Sequence, residues 1–378
     1  MNPAIIKELD PFGTSFNIFD ELMALGRFYR IAGGAPARPA PRAARRARAR
    51  VAAGRRTAQS GVLAGLLLAL AGGGAPAACA AAPVQVLDDS GARVTLNAPA
   101  RRVVSLAPSV TELIYAAGGG NRLVGTVSFS DYPSAARDVP VIGSYTTLDL
   151  ERIAATHPDL IVVWWHGNPQ RQVERLKSLH VPLFYSEPHR LADIGSTLIR
   201  LGTLLGTEPQ AREAARAFDT RIAALRQRYA SRPPVSVFFQ LWDDPLMTLN
   251  GTHIISDVIS VCGGRNLFGS LGELVPTVST EAVIAADPDA IVAARPEPAR
   301  AHRAAQSTDP SGGDPALRGW RRWPGMRAVA RDNLFTVDAD LISRPGPRLA
   351  DATALLCQEL EQVRQRAPSR RPTGSLHP

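Results

Sequence analysis

Hydrolytic enzymes need a nucleophile beside a base or a clustered metal site, and nucleotide enzymes need a phosphate-cradling glycine loop. This 378-residue chain contains no Gly-x-Ser-x-Gly, no His-Glu-x-x-His and no Gly-x-x-x-x-Gly-Lys-Ser/Thr. Its seven histidines are scattered. His166, just after a strand that ends at Trp164, is the one placed to face a cleft. It could ligate a metal or a metallated macrocycle there, or act as a hydrogen-bonded structural residue. Asp243-Asp244 could do acid/base work, but with Pro245 behind them a turn is the simpler reading. The three cysteines lack the clustered partners of a metal site. The chain reads as no enzyme, with no catalytic residues, no metal and no cofactor of its own.

Aromatic residues at strand ends offer a different chemistry. Trp164-Trp165-His166-Gly167-Asn168 closes one strand, Phe184-Tyr185 closes the next, and Leu241-Trp242 closes a third. A strand end opens onto a crevice, where flat rings bury large areas at small entropic cost. Trp164, Tyr185 and Trp242 are therefore candidate contacts for a flat, amphipathic ligand.

The elements that position them alternate between strand and helix. Val103–Ala107 is apolar, and Ser109-x-x-Glu112 reads as a capping box opening a helix that stops at Gly118-Gly-Gly120. A short strand near Leu123–Val127, a helix near Asp149–Thr156 and the wholly apolar strand Leu160–Trp164 follow. Thr207-x-x-Gln210 reads as the start of a long helix whose apolar stripe is Ala211, Ala215, Phe218, Ile222, Leu225 and Tyr229. Arg232-Pro-Pro234 ends it, and the alternation restarts at Val235–Leu241. Leu148–Val163 lies over Val278–Ala293 with a constant shift of 130. Glu151 then meets Glu281, and Pro158-Asp159 meets Pro288-Asp289. The expectation is an α/β protein of two lobes with parallel-rich sheets flanked by helices. The lobes are an N-terminal one at 101–205 and a C-terminal one at 232–366, joined by a single backbone helix at 206–231. Residues 296–319 read as a mobile insertion and 367–378 as a disordered tail.

The charge of +9 is uneven: residues 1–80 hold eleven basic and four acidic side chains, so about +2 remains for the rest. A nucleic-acid binder carries its basic charge on the folded domain, so that class is set aside. Arg55-Arg56, the apolar run Gly61–Ala71 and Ala78-x-Ala80 have the layout of a signal peptide at 51–80, which implies export. Lipidation at Cys79 is the alternative, though Pro76-Ala77-Ala78 makes a poor lipobox. Residues 1–50 fit no export logic and read as a mis-called extension, with the true start near Val51. In an oxidising compartment, Cys262 and Cys357 in one lobe tend to pair.

Across 101–366 the chain resembles the cobalamin-binding members of the helical-backbone class of periplasmic metal-chelate-binding proteins (class III). The text that carries this is Ser105-Leu-x-Pro-Ser-x-Thr-Glu-Leu113, Tyr115-Ala-Ala-Gly118, Ser130-Asp-Tyr-Pro133, Leu150-Glu-Arg-Ile153 and Pro158-Asp-Leu160. It continues with Gly167-Asn-x-x-Arg-Gln-Val173, Val261-Cys-Gly-Gly-x-Asn266, Val278-Ser-x-Glu281 and Arg344-Pro-x-Pro-Arg348. The resemblance implies cobalamin held between two lobes and delivered to the membrane permease subunits of an ABC importer by a periplasmic monomer. It places Trp164 against the corrin, puts Tyr185 where the family often has Trp, and adds Tyr145, Asp340 and Arg344 as ligand-facing residues. It pairs Cys262 with Cys357 as a disulfide. Docking uses one acidic residue per lobe. Glu281 supplies it in lobe two, but Gln170 replaces the usual glutamate in lobe one, leaving Glu174 one turn on as a substitute. Val275 also replaces an aromatic cleft residue. The nearest rival ligands are haem, which His166 or Tyr185 could ligate, and a ferric siderophore. A tetrapyrrole chelatase is the rival from another class, and export argues against it.

Overall fold

The computed structural model describes residues 83–295, 314 and 316–367. The expected extension at 1–50, the signal peptide with Cys79, most of the 296–319 insertion and the tail beyond 367 lie outside the described residues. A hairpin of β1 (Val84–Leu87) and β2 (Arg93–Leu96) comes first. Next are β3 (Val103–Ser105), α1 (Pro108–Ala116), β4 (Leu123–Gly125), α2 (Leu150–Ala155), β5 (Leu160–Trp164), α3 (Gln170–Leu176) and β6 (Leu183–Ser186). Two long helices, α4 (Leu191–Leu205) and α5 (Glu208–Tyr229), lead out of this lobe. The second lobe begins with β7 (Val235–Gln240), the hairpin β8 (Trp242–Asp243) and β9 (Leu246–Met247), α6 (Ile254–Val261) and β10 (Gly264–Asn266). It ends with α7 (Thr280–Ala286), β11 (Ala290–Arg295), α8 (Arg327–Ala330), β12 (Leu334–Asp338), α9 (Ala339–Ile342) and α10 (Leu349–Arg366).

Each lobe is a four-stranded parallel sheet, ordered β4-β3-β5-β6 in the first and β10-β7-β11-β12 in the second. In both, the second strand in sequence lies outside the first, and the third and fourth continue on the other side. The strand order thus reverses between β3 and β5, and between β7 and β11. Ligands of such sheets bind beyond the carboxyl ends at that reversal.

The internal repeat extends to backbone detail. Asp149 accepts from the Arg152 amide at 2.9 Å at the start of α2, and Ser279 accepts from the Ala282 amide at 3.1 Å at the start of α7. Both helices end on a residue with positive φ, His157 at 45° and Asp287 at 43°. The Pro-Asp turns that follow do the same work. Asp159 accepts from the amides of Arg101 and Arg102 at the foot of β3, and Asp289 accepts from the Ser236 amide in β7.

Two sequence-level readings change. Helix α1 starts at Pro108 with Ala107 as its N-cap and no side-chain cap, so Ser109 and Glu112 form no capping box. Thr207 likewise does not cap α5. Its hydroxyl donates to the Ala117 carbonyl at 2.6 Å, tying α5 to the end of α1. The glycine stop is as read: Gly118 takes φ +85°, and the amides of Gly119 and Gly118 reach the Ile114 and Tyr115 carbonyls, a Schellman closure.

Helix α5 buries Ala211, Ala215, Phe218, Ile222 and Tyr229. It crosses α4 so closely that a Cβ on Gly202 would stand 2.3 Å from Ala211 Cβ. One apolar cluster runs from Val103 and Val162 in the first sheet through Leu198, Leu201 and Phe218 to Val237, Val292 and Leu356. The lobes are thus joined by core, with each fully buried Leu or Phe worth about 1.5–3 kcal/mol. Moving one lobe far against the other would open that core.

Helix α6 is fastened at both ends. Cys262 at its C-cap bonds Cys357 of α10, closing a stretch of 95 residues. At its start His253 Nδ1 accepts from the Ile255 amide at 3.2 Å. Burial, with a smaller contribution from His189, pushes the His253 pKa down to about 4. In the unfolded chain the group takes up its proton near 6.5, so stability falls as pH drops from 6.5 to 4, and this histidine has no effect on its pH dependence outside that window. The loss is on the order of 3 kcal/mol at most. His253→Asn keeps a capping acceptor, and urea denaturation of that variant is expected to show a flatter stability profile between pH 7 and 4.

Candidate functional site

The carboxyl edge of the first sheet carries an aromatic pair. Trp164, the last residue of β5, and Tyr145, in the loop before α2, stand with ring centroids 6.0 Å apart and planes inclined by 47°. Gly167 makes the turn possible, because a Cβ there would lie 1.9 Å from the Trp164 ring. Buried Asn168 fixes the pair. Its carbonyl oxygen accepts from the Trp164 amide at 2.8 Å, and its amide donates to the carbonyls of Leu106 at 2.9 Å and Tyr145 at 3.0 Å. Gln172 on α3 holds the Tyr145 loop from the other side through the Leu148 amide and the Thr146 carbonyl. Asn168 therefore joins the ends of β3 and β5 at the strand-order reversal. Sequence reasoning read Asn168 only as part of a shared motif.

The second lobe answers with an ionic arm beyond β12. Asp338 caps α9, accepting from the Leu341 amide, and Asp340 and Arg344, four residues apart, pair at 2.9 Å. Arg344 is only 5% exposed and also reaches across the crevice to Glu112 of α1 and Asp131 beyond β4, each at 3.1 Å. Arg348 reaches the same Glu112, with its Nε 2.9 Å from Oε2, and stacks on Tyr132 at 4.1 Å. Three carboxylates and two guanidinium groups thus meet where the lobes face each other. Glu112, Asp131 and Arg348 were not singled out as functional from the sequence. The spacing Arg344-x-x-x-Arg348 and a glutamate inside an apolar helix were the signals available.

Burial holds the Asp340 pKa above the ordinary carboxylate value, Arg344 pulls it down, and Asp131 and Asp338 push it up again. Burial opposes the charge on Arg344, but Asp340, Glu112 and Asp131 outweigh it and raise its pKa. The Arg344 Nε is buried with no hydrogen-bond partner among the described residues. That donor can be satisfied by a ligand carbonyl or phosphate.

The remaining candidates are more dispersed. Trp242 is half-buried in the β8–β9 hairpin, its indole N–H donating to the Asp244 carbonyl at 2.8 Å, and Asp244-Pro245 forms the turn expected there. Tyr185 is half-buried on β6. Burial raises its pKa, with smaller, mutually opposing contributions from the charges of Lys177, Glu174 and Asp88. His166 stacks on Trp165 at 4.4 Å and is hydrogen-bonded to Glu187, which raises its pKa. Val275 packs against the main core. Gln170 opens α3 and is exposed, and Glu174 pairs with Lys177 at 2.8 Å. Glu281 is exposed in the first turn of α7.

Two like lobes fused through one core, with rings on one side of a crevice and an ionic arm on the other, define a ligand-capturing protein of the two-lobed, helix-linked class. The family model described as "Periplasmic binding protein" matches residues 103–341, and the chain belongs to that family. The Vitamin B12-binding protein of Vibrio parahaemolyticus is 34% identical over 271 residues, spanning 71% of this chain and 93% of that protein. The solved periplasmic vitamin B12 binding protein BtuF of Vibrio cholerae has a TM-score of 0.62 at 34% identity, covering 71% of this chain and 99% of that one. The periplasmic heme-binding protein RhuT from Roseiflexus, at 24% identity, shares the fold with a TM-score of 0.58 over 70% of this chain and 98% of its own. Among the described residues no helix is long and apolar enough to cross a membrane.

Removing one partner from a buried ion pair leaves the other charge stranded. Glu112→Ala is therefore expected to cost about 3–5 kcal/mol of unfolding free energy. Asp131→Ala, at the half-exposed end of the same cluster, costs about 1 kcal/mol or less. Denaturant titrations of both variants check the contrast, and equal losses would contradict it.

Proposed function

We propose that this protein is the substrate-binding component of an ABC importer and captures cobalamin, or a close corrinoid relative, between its lobes. The observation that carries the reading is the 34% identity with a vitamin B12-binding protein across 93% of that protein's length. The site's chemistry supports it. A corrinoid presents flat apolar faces rimmed by amides and a phosphate-bearing tail. Trp164, with Tyr145 behind it, offers a ring to the macrocycle, and Trp242 provides a second aromatic surface from lobe two. Arg344, with a donor to spare, and Asp340 suit the polar rim. Tyr185, half-buried on the neighbouring strand β6, is a further candidate contact. The corrinoid is cargo rather than cofactor, and the role is capture and delivery without catalysis. The compartment is the periplasm, the working form is a monomer, and the partner is the importer's pair of permease subunits. On the docking side Glu281 is the contact of lobe two.

Titrating the purified protein with cyanocobalamin, followed by calorimetry and by the corrin absorbance of the eluted complex, tests the reading. One-to-one binding is expected, weakened about tenfold or more in Trp164→Ala, the loss typical of a buried aromatic anchor. Binding of haem or a ferric siderophore in place of cyanocobalamin would overturn the ligand, and binding of none of the three would overturn the function.

A further inference from the structure

We propose that the amino edge of the second sheet, the side of lobe two turned away from the crevice, is a docking surface for an anionic phospholipid bilayer. It stands independently of which ligand the crevice holds.

Parallel strands place all their starts on one edge, and four segments bring arginines to this one. Arg232 precedes β7, Arg265 lies on β10, Arg322 ends the 3₁₀ turn Arg318–Arg322, and Arg366 ends α10. Two contacts fix the turn and the helix there. Arg321 pairs at 3.0 Å with Asp332, just ahead of β12, and Arg366 donates to the Asp332 carbonyl at 2.6 Å. Strands β10 and β12 are the outer ones of the sheet, so the cations run its full width, about 14 Å at ordinary strand spacing. The acids of this edge are engaged: Asp287 and Asp289 hold Arg327 at 2.7 and 2.8 Å, and Asp332 holds Arg321. Arg232, Arg265 and Arg322 are exposed and have no carboxylate partner among the described residues.

A tryptophan stands among them. Trp323 is 45% exposed, yet its backbone is fixed. Its amide donates to the Trp320 carbonyl and its carbonyl accepts from the Met326 amide, both at 3.0 Å. Beneath it Trp320 is buried against Phe238, its indole donating to Gln240 at 2.6 Å. An indole held out of the core beside arginines suits the bilayer interface, where tryptophan rings settle at the depth of the headgroups. Arginines near an anionic leaflet are each attracted by about 1 kcal/mol, and no helix among the described residues spans a membrane. The attachment is therefore peripheral and reversible. The opposite edge of lobe two carries Asp243, Asp244, Glu281 and Asp340. An anionic surface thus attracts one end of the lobe and repels the other. A protein held by its amino edge keeps the crevice away from the bilayer and open to cargo.

The test measures partition of the purified full chain onto vesicles of phosphatidylcholine alone and of its equimolar mixture with phosphatidylglycerol, at low and high salt. Wild type is expected to bind the mixed vesicles at low salt, to leave them at high salt, and to ignore phosphatidylcholine. Arg232→Gln, Arg265→Gln and Arg322→Gln should each lower the partition about fivefold. Arg171→Gln, which removes the same charge from the first turn of α3 at the crevice edge of lobe one, should change it much less. Headgroup spin-labelled lipid should quench tryptophan fluorescence in wild type but not in Trp323→Phe. The three edge variants should bind cyanocobalamin as wild type does. Equal losses for Arg171→Gln and the edge variants, quenching that persists without Trp323, or no binding of wild type to the mixed vesicles would each overturn the proposal. Binding to soluble polyglutamate but not to vesicles would overturn it too, assigning the edge to an acidic protein.

Discussion

A carboxylate taken out of water must be matched by charge, and Glu112 is the carboxylate on which the crevice depends. It is 3% exposed, on a helix of the first lobe, and both guanidinium groups that neutralise it come from the second. Neither lobe can satisfy this group alone. Asp131 and Asp340 complete the cluster around Arg344, so the approach of the lobes, the placement of the ionic arm and the charge state of the site are one arrangement. The shared core through α4 and α5 supplies the apolar counterpart, holding the lobes at a spacing where these groups can meet.

The lobes are built alike but used differently. Sheet order, helix caps, Pro-Asp turns and the positive-φ helix ends recur, which marks one structural unit used twice. Their crevice edges have diverged. Lobe one ends its central strand in Trp164, with Asn168 binding the strand ends together, and lobe two extends its last strand into Asp338–Arg348. A flat apolar wall against a charged arm suits a ligand with one broad apolar face and a polar rim. The repeated scaffold sets distance and the unlike edges set chemistry.

What the sequence disclosed was whatever local pattern can carry. The stripe on α5 repeats every three or four residues, and the same residues are buried, apart from Leu225, which is partly so. Runs such as Leu160–Val163 are apolar throughout because helices cover both faces. The repeat was visible because Pro-Asp and its neighbours are needed in both lobes. The ionic junction was not visible, because its partners are 232 and 236 residues apart and Ser109-x-x-Glu112 imitates a local cap. Thr207 misled for the same reason: a hydroxyl at a helix start is read as a cap, whereas here it bonds the end of another helix. Asn168 reads as an ordinary loop residue until the three segments it bonds are brought together.

A corrinoid held between the aromatic edge and the ionic arm would place its cobalt in the crevice. Crystals of the protein grown with cyanocobalamin, with diffraction collected at the cobalt absorption edge, locate the metal directly. A single anomalous peak is expected between the lobes, with the corrin against Trp164 and its polar rim toward Asp340 and Arg344. A peak outside the crevice, or a corrin that leaves Trp164 and Arg344 without contact, would contradict it.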